Sequence, residues 1–176
     1  MSKFLIVVDM QHDFIDGSLG TPEARAILPA AADRIRACKD AGYHVIATLD
    51  THDENYLNTR EGRKLPVPHC IRGTSGWEIH PVIREVLGDA LLLEKPTFGS
   101  IRLPEIIREE ADPAEALTVE LLGLCTDICV VSNALLIKAG FPEADVQVSA
   151  ACCAGVTPEK HMAALETMAS CQIDIL

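Results

Sequence analysis

Basic residues are scarce in this 176-residue chain: 15 Lys and Arg stand against 26 Asp and Glu, a formal net charge of −11. That balance excludes a sequence-independent grip on nucleic acid or on an anionic membrane surface, and leaves small molecules or proteins as the default partners. No apolar run is long enough to span a bilayer. The N-terminal MSKFLIVVDM has a lysine and a short apolar run, but the run ends in Asp9 with no small-residue cleavage site behind it. It reads as a buried first strand rather than a signal peptide, and the expectation is a cytoplasmic protein. DMQHDF, after that strand, lacks the glycine fingerprint of a dinucleotide site, so no nucleotide cofactor is expected. Asp9 and Asp13 are the only trace of an acidic magnesium cluster, which leaves a phosphotransfer reading weak.

What the chain does have is an alternation of strands and helices. Strands are expected at Phe4–Val8, His44–Asp50, Ala90–Glu94, Leu117–Leu122, Val146–Ala150 and Ile173–Leu176. Helices are expected at 27–41, 128–139 and 158–170, with Gly42, Gly140 and Pro142 as stops and Pro158 in a first turn. Several strands are apolar on both faces, as in a parallel sheet covered by helices on two sides, an α/β fold. No linker or repeat interrupts residues 1–176, which read as a single domain. Thr51–Pro81 is one long irregular stretch carrying three histidines, and a loop of that length in a compact domain is usually functional.

Seven cysteines is an odd count and does not suggest a disulfide framework. Cys38, Cys70, Cys152, Cys153 and Cys171 sit among apolar residues and read as small buried hydrophobes. Cys125 and Cys129, in GLCTDICV, have no second pair for a zinc site and one residue too many between them for a redox pair. With Thr126 or Asp127 as helix cap, Cys129 falls in a first turn, where N–H groups and the helix dipole favour a thiolate and an oxyanion. Asp9 and Lys95 emerge at strand ends and are candidates for base and charge partner; a turn carboxylate and a solvated lysine are the plainer alternatives.

LDTH places Asp50 and His52 two apart at a strand end, and His69 follows in PHC, a set suited to a zinc-type ion with open positions. Glu61 is a further carboxylate in REGRK that reads equally well as a solvated turn. Phe14 and Trp77 are candidate walls for a planar substrate, or else pack beneath the loop; aromatics make up only 4% of the chain.

DMQHDF at 9–14, EKPTFGS at 94–100 and GLCTDICV at 123–130, in this order, resemble the isochorismatase-like cysteine hydrolases, which include nicotinamidases and N-carbamoylsarcosine amidases. HPVIREV and CCAGVTPEKH extend the resemblance to nearly the whole chain. The resemblance implies a three-layer α/β/α fold with a six-stranded parallel sheet of order 3-2-1-4-5-6, and a homo-oligomer, dimer or higher. It implies a triad of Asp9, Lys95 and nucleophilic Cys129, a cis peptide at Leu124–Cys125, and an oxyanion hole from the backbone N–H groups of Cys125 and Cys129. It further implies a divalent metal, zinc by ligand type, on Asp50, His52 and His69, holding the pyridine nitrogen of a nicotinamide-like substrate. Thr51 departs from the tryptophan common at that position, so a ureide or carbamoyl substrate stays open, as does a non-catalytic ligand- or metal-binding protein.

Overall fold

A computed structural model describes residues 1–176. Six strands form one parallel sheet: β1 (Ser2–Val8), β2 (His44–Asp50), β3 (Leu91–Lys95), β4 (Leu117–Leu124), β5 (Asp145–Ala154) and β6 (Asp174–Ile175), ordered β3-β2-β1-β4-β5-β6. The helices are α1 (His12–Ile15), α2 (Pro22–Ala26), α3 (Leu28–Asp40), α4 (Arg60–Lys64), α5 (Pro81–Leu87), α6 (Arg102–Glu110), α7 (Val131–Gly140) and α8 (Pro158–Ser170). Helices α2, α3 and α5 pack together on one side of the sheet, and α6, α7 and α8 on the other. None of them is long and apolar enough to cross a membrane.

The sheet centre is where the sequence is most apolar. Phe4 to Val8 are all buried, because β1 is flanked by β2 and β4 and covered on both faces. Strand order reverses between β1 and β4, so the connections leaving their carboxyl ends turn to opposite faces of the sheet and leave a crevice, the usual ligand position in such folds. Threonine caps start three helices: the hydroxyls of Thr21, Thr59 and Thr157 accept the N–H groups of Ala24, Gly62 and Lys160. In α2 and α8 the cap is followed by proline, whose missing N–H costs nothing at that position.

Several expected boundaries move. Strand β3 is shifted by one residue and includes Lys95; β4 runs on through Gly123 to Leu124; β5 continues to Ala154 and takes in Cys152 and Cys153. Gly123 has φ +123°, and a Cβ there would lie 2.2 Å from the Val8 carbonyl oxygen, so only glycine lets β4 pass β1 this closely. The stretch 51–81 holds a 3₁₀ turn at Tyr56–Asn58 and helix α4. Helix α6 was not expected; Pro104 breaks its pattern to the eye, yet Leu103, Ile106 and Ile107 form its buried stripe. Cys171 is exposed, against the expectation of a buried thiol; it lies just past the C-terminal end of α8.

Candidate active site

The ends of β2 and β4 and the residue after β5 meet around a cavity of about 300 Å³. Its lining includes Asp50, Glu61 and His69 at one part of the wall, Cys125 and Cys129 at another, and Phe14, Leu65, Phe98 and Val156 as apolar surface.

Asp9 follows β1 with φ +48°, a left-handed conformation that a non-glycine residue holds only when its surroundings fix it. Its carboxylate is fully buried. Oδ1 accepts the Thr48 hydroxyl at 2.6 Å, and Oδ2 stands 2.6 Å from the Lys95 Nζ with no other donor on it. Lys95, 1% exposed, spends its ammonium on three groups: Asp9, the Thr97 carbonyl at 3.1 Å and the Cys129 Sγ at 3.4 Å. Asp50 Oδ1 lies a little farther, at 3.6 Å. Burial opposes the lysine charge, but Asp9, Cys129 and Asp50 together push its pKa upward, so it remains an ammonium ion. Burial raises the pKa of Asp9, and Lys95 opposes that rise. Lys95 is thus neither a solvated lysine nor a spare charge.

Cys129 does not sit at a capped α-helix start. Residues Thr126–Val130 form a π-helical turn in which the N–H groups of Ile128 and Val130 both donate to the Cys125 carbonyl, at 3.0 and 3.1 Å, and α7 begins only at Val131. Neither expected cap residue caps the turn. Thr126 Oγ1 pairs with His161 Nδ1 at 2.8 Å, and Asp127 Oδ1 accepts the Val156 N–H at 2.9 Å, so both tie the turn to the segment that follows β5. Asn133 anchors it from the other side, donating to the Cys129 carbonyl and accepting the Ser100 N–H, each at 2.9 Å. Against the expected thiolate, burial, then the charge of Asp9, push the Cys129 thiol well above its ordinary value. Burial also pushes Cys125 up, to about 12. The Leu124–Cys125 peptide is cis.

Asp50, His52 and His69 offer donor atoms that all lie within 4.8 Å of one another. His52 Nε2 and His69 Nε2 approach Asp50 Oδ2 at 3.1 and 3.5 Å. Glu61 Oε1, weighed from sequence as a solvated turn, points into the same cluster at 3.7 Å from His52 Nε2 and 4.0 Å from His69 Nε2. Although burial works against it, the two imidazoles and Lys95 pull the Asp50 pKa well below the usual carboxylate range. The Val67 carbonyl takes the His69 Nδ1–H at 2.8 Å, which aims the Nε2 lone pair at the cluster. Two nitrogens and two carboxylates converging in a buried pocket, with only Lys95 to balance Asp9 and Asp50, fit a divalent cation.

Gln11 was not singled out from sequence. Its side chain donates to the Asp50 and Trp77 carbonyls and accepts the Asp50 N–H, clasping the end of β2. Asp13 Oδ2 likewise holds the Cys70 N–H at 2.8 Å, beside His69. Of the two expected aromatic walls, Phe14 lines the cavity, with its ring 5.6 Å from that of His69. Trp77 does not line it: the indole donates to the Thr51 hydroxyl at 2.9 Å and supports the loop, while Phe98 takes a place in the wall. Tyr56 packs its ring against both His52 and His69.

The isochorismatase domain model matches residues 3–176. The chain belongs to the isochorismatase family. The nicotinamidase/pyrazinamidase of Mycobacterium tuberculosis is 28% identical over 99% of this chain and 98% of its own length. A nicotinamidase/pyrazinamidase structure from Bacillus subtilis superposes with a TM-score of 0.85 at 26% identity over 99% of both chains. A pyrazinamidase of Pyrococcus horikoshii, solved in complex with zinc, does so with a TM-score of 0.81 at 31% identity, over 100% of this chain and 99% of the other.

Proposed function

We infer that the chain is a cysteine hydrolase of the isochorismatase family that cleaves a small amide through a thioester, with nicotinamide, releasing nicotinate and ammonia, as the first substrate to test. The observation that carries this reading is the Asp9–Lys95–Cys129 arrangement: a carboxylate oxygen with one free direction, an ammonium holding it, and a buried thiol. In the first step Asp9 Oδ2 takes the thiol proton as Cys129 Sγ bonds to the amide carbonyl carbon. The backbone N–H groups of Cys125 and Cys129 receive the developing oxyanion. Asp9 then gives its proton to the leaving nitrogen as the C–N bond breaks and ammonia departs. Next it removes a proton from the water that attacks the thioester, and the thiol is restored on collapse. Burial raises the Cys129 pKa, which favours base and nucleophile acting together over a standing thiolate. Lys95 keeps its proton throughout and orients the pair.

Asp50, His52 and His69, with Glu61 beside them, would hold a divalent metal of the zinc type. A bound metal supplies a Lewis acid for a ring nitrogen or other heteroatom of the substrate. Phe14 and Phe98 would flank a planar ring. The cavity also has room for a larger ureide or carbamoyl compound, and Lys160 in its lining favours a polar or acidic substituent there. All seven thiols are free, which suits a cytoplasmic protein. Exposed Phe98 and Ile101, at 47% and 72%, are candidates for cover in a homo-oligomer. Ammonia release from nicotinamide, pyrazinamide and small ureides, with and without chelator, tests the reading. Turnover of none of them by metal-loaded enzyme would favour a non-catalytic binding protein.

A further inference from the structure

Outside the cavity a second group of ligating side chains stands together. His12, Asp16 and His80 present donor atoms within 4.8 Å of one another, and none of the three lines the cavity. Two segments far apart in sequence build it. His12 and Asp16 are one helical turn apart around α1, with Nδ1 to Oδ1 at 2.9 Å. His80 precedes α5, and its Nε2 lies 3.6 Å from Asp16 Oδ2. The two imidazole rings lie 5.1 Å apart, their approach fixed by the antiparallel bridge of Gln11 with Ile79 and by the bonds from His12 N–H to the Glu78 carbonyl and His80 N–H to the Met10 carbonyl.

We propose that His12, Asp16 and His80 form a second, peripheral site for a divalent cation of the zinc class, held by two imidazoles and one carboxylate with the remaining positions open to water. His80 is kept below the ordinary histidine pKa by burial, which favours the neutral ligand form. Its Nδ1 accepts the Val82 N–H at 3.3 Å, so coordination through Nε2 moves the ring proton to Nδ1 and gives up that cap. The peripheral ion is therefore the weaker of two. It would clamp α1 to the start of α5, and α1 carries the cavity wall residue Phe14 and adjoins Gln11, the clasp on Asp50.

The test is zinc stoichiometry of the full chain, equilibrated in micromolar zinc and read by elemental analysis together with melting temperature. Wild type is expected to hold two zinc ions per chain and to lose one first on dialysis. The double variant His12→Ala/His80→Ala should hold one and, in zinc-free buffer, melt a few degrees lower through loss of the α5 cap and the Asp16 pair, and Asp50→Ala should retain the peripheral ion. The double variant should also lose the rise in melting temperature that the second equivalent gives. A single equivalent in wild type that Asp50→Ala abolishes, or a stoichiometry of two that survives the double substitution, would overturn the peripheral site. The first of these outcomes leaves the Asp50 site intact, and neither bears on amide cleavage.

Discussion

Replacing Lys95 by methionine removes the one cation that faces Asp9, Asp50 and Cys129 while leaving most of the side-chain volume in place. At 2.6 Å from Asp9 Oδ2 and 3.6 Å from Asp50 Oδ1, its gross attraction at an effective dielectric constant near 20 is about 6 and about 5 kcal/mol. The ammonium's own desolvation offsets much of this, so the expected loss is that of a broken buried pair, about 3–5 kcal/mol. Its pH dependence has a definite sign. Burial already raises Asp9, and without Lys95 it rises further above its unfolded value near about 3.9. The folded variant then binds the proton more tightly than the unfolded chain. That contribution is full below the unfolded pKa and is lost as pH rises through the folded pKa; because wild-type Asp9 is itself raised, the penalty against wild type grows as pH rises from the wild-type to the variant folded pKa and is constant above it. Urea unfolding at several pH values measures it. If about 3 kcal/mol falls on ionised Asp9, the acid limb of kcat/KM should also move up by about two pH units, because protonated Asp9 cannot accept the thiol proton. A pH-independent loss below about 1 kcal/mol with an unmoved acid limb would refute the pairing, since that is the range of a solvated surface lysine. Lys95→Met combined with Asp9→Asn should regain part of the stability and none of the activity.

Three further outcomes follow from particular contacts. Gln11→Leu removes the clasp on the Asp50 backbone and should weaken metal binding about 10–100-fold, measured by chelator competition, and lower stability by about 1–3 kcal/mol because buried backbone groups lose their partner. Glu120→Ala strips a fully buried carboxylate from Arg34 and Ser149; it should cost about 3 kcal/mol in urea unfolding, the low end for a broken buried pair because Arg34 is 38% exposed, without changing kcat. Gly123→Ala forces a Cβ against the Val8 carbonyl and should cost about 3 kcal/mol, with kcat falling because the Cys125 turn is displaced.

The parts of the site that could be read from sequence are those that the strand pattern itself marks. Asp9 and Asp50 end apolar runs, and a parallel sheet brings strand ends to one edge, so their convergence followed from topology. Lys95 and Cys129 were legible through ordered motifs; the shift of β3 by one residue left Lys95 at the strand end. Gln11, Thr48 and Asn133 were not legible. Each makes at least one hydrogen bond to a group 33–39 residues away, and a lone glutamine, threonine or asparagine carries no periodic signal of such a bond. Thr126 and Asp127 looked like caps because cap preference is local, and a tertiary competition with His161 and Val156 prevailed. Phe98, not Trp77, lines the cavity beside Phe14, because nothing in a loop sequence fixes which ring faces the cavity. Burial works against the expected thiolate for a related reason: it is a property of the whole fold, and it raises the Cys129 pKa.

Which of the two cysteines does the chemistry is best decided by ammonia release from one amide substrate by wild type, Cys129→Ala and Cys125→Ala at equal concentrations. Cys129→Ala is expected to lose at least about 10⁴-fold in kcat, as loss of a nucleophile does. Cys125→Ala should stay within about tenfold, since only its backbone N–H is used. Amide turnover by Cys129→Ala near the wild-type rate, or an equal collapse in Cys125→Ala with the fold intact, would contradict the assignment of Cys129 as nucleophile.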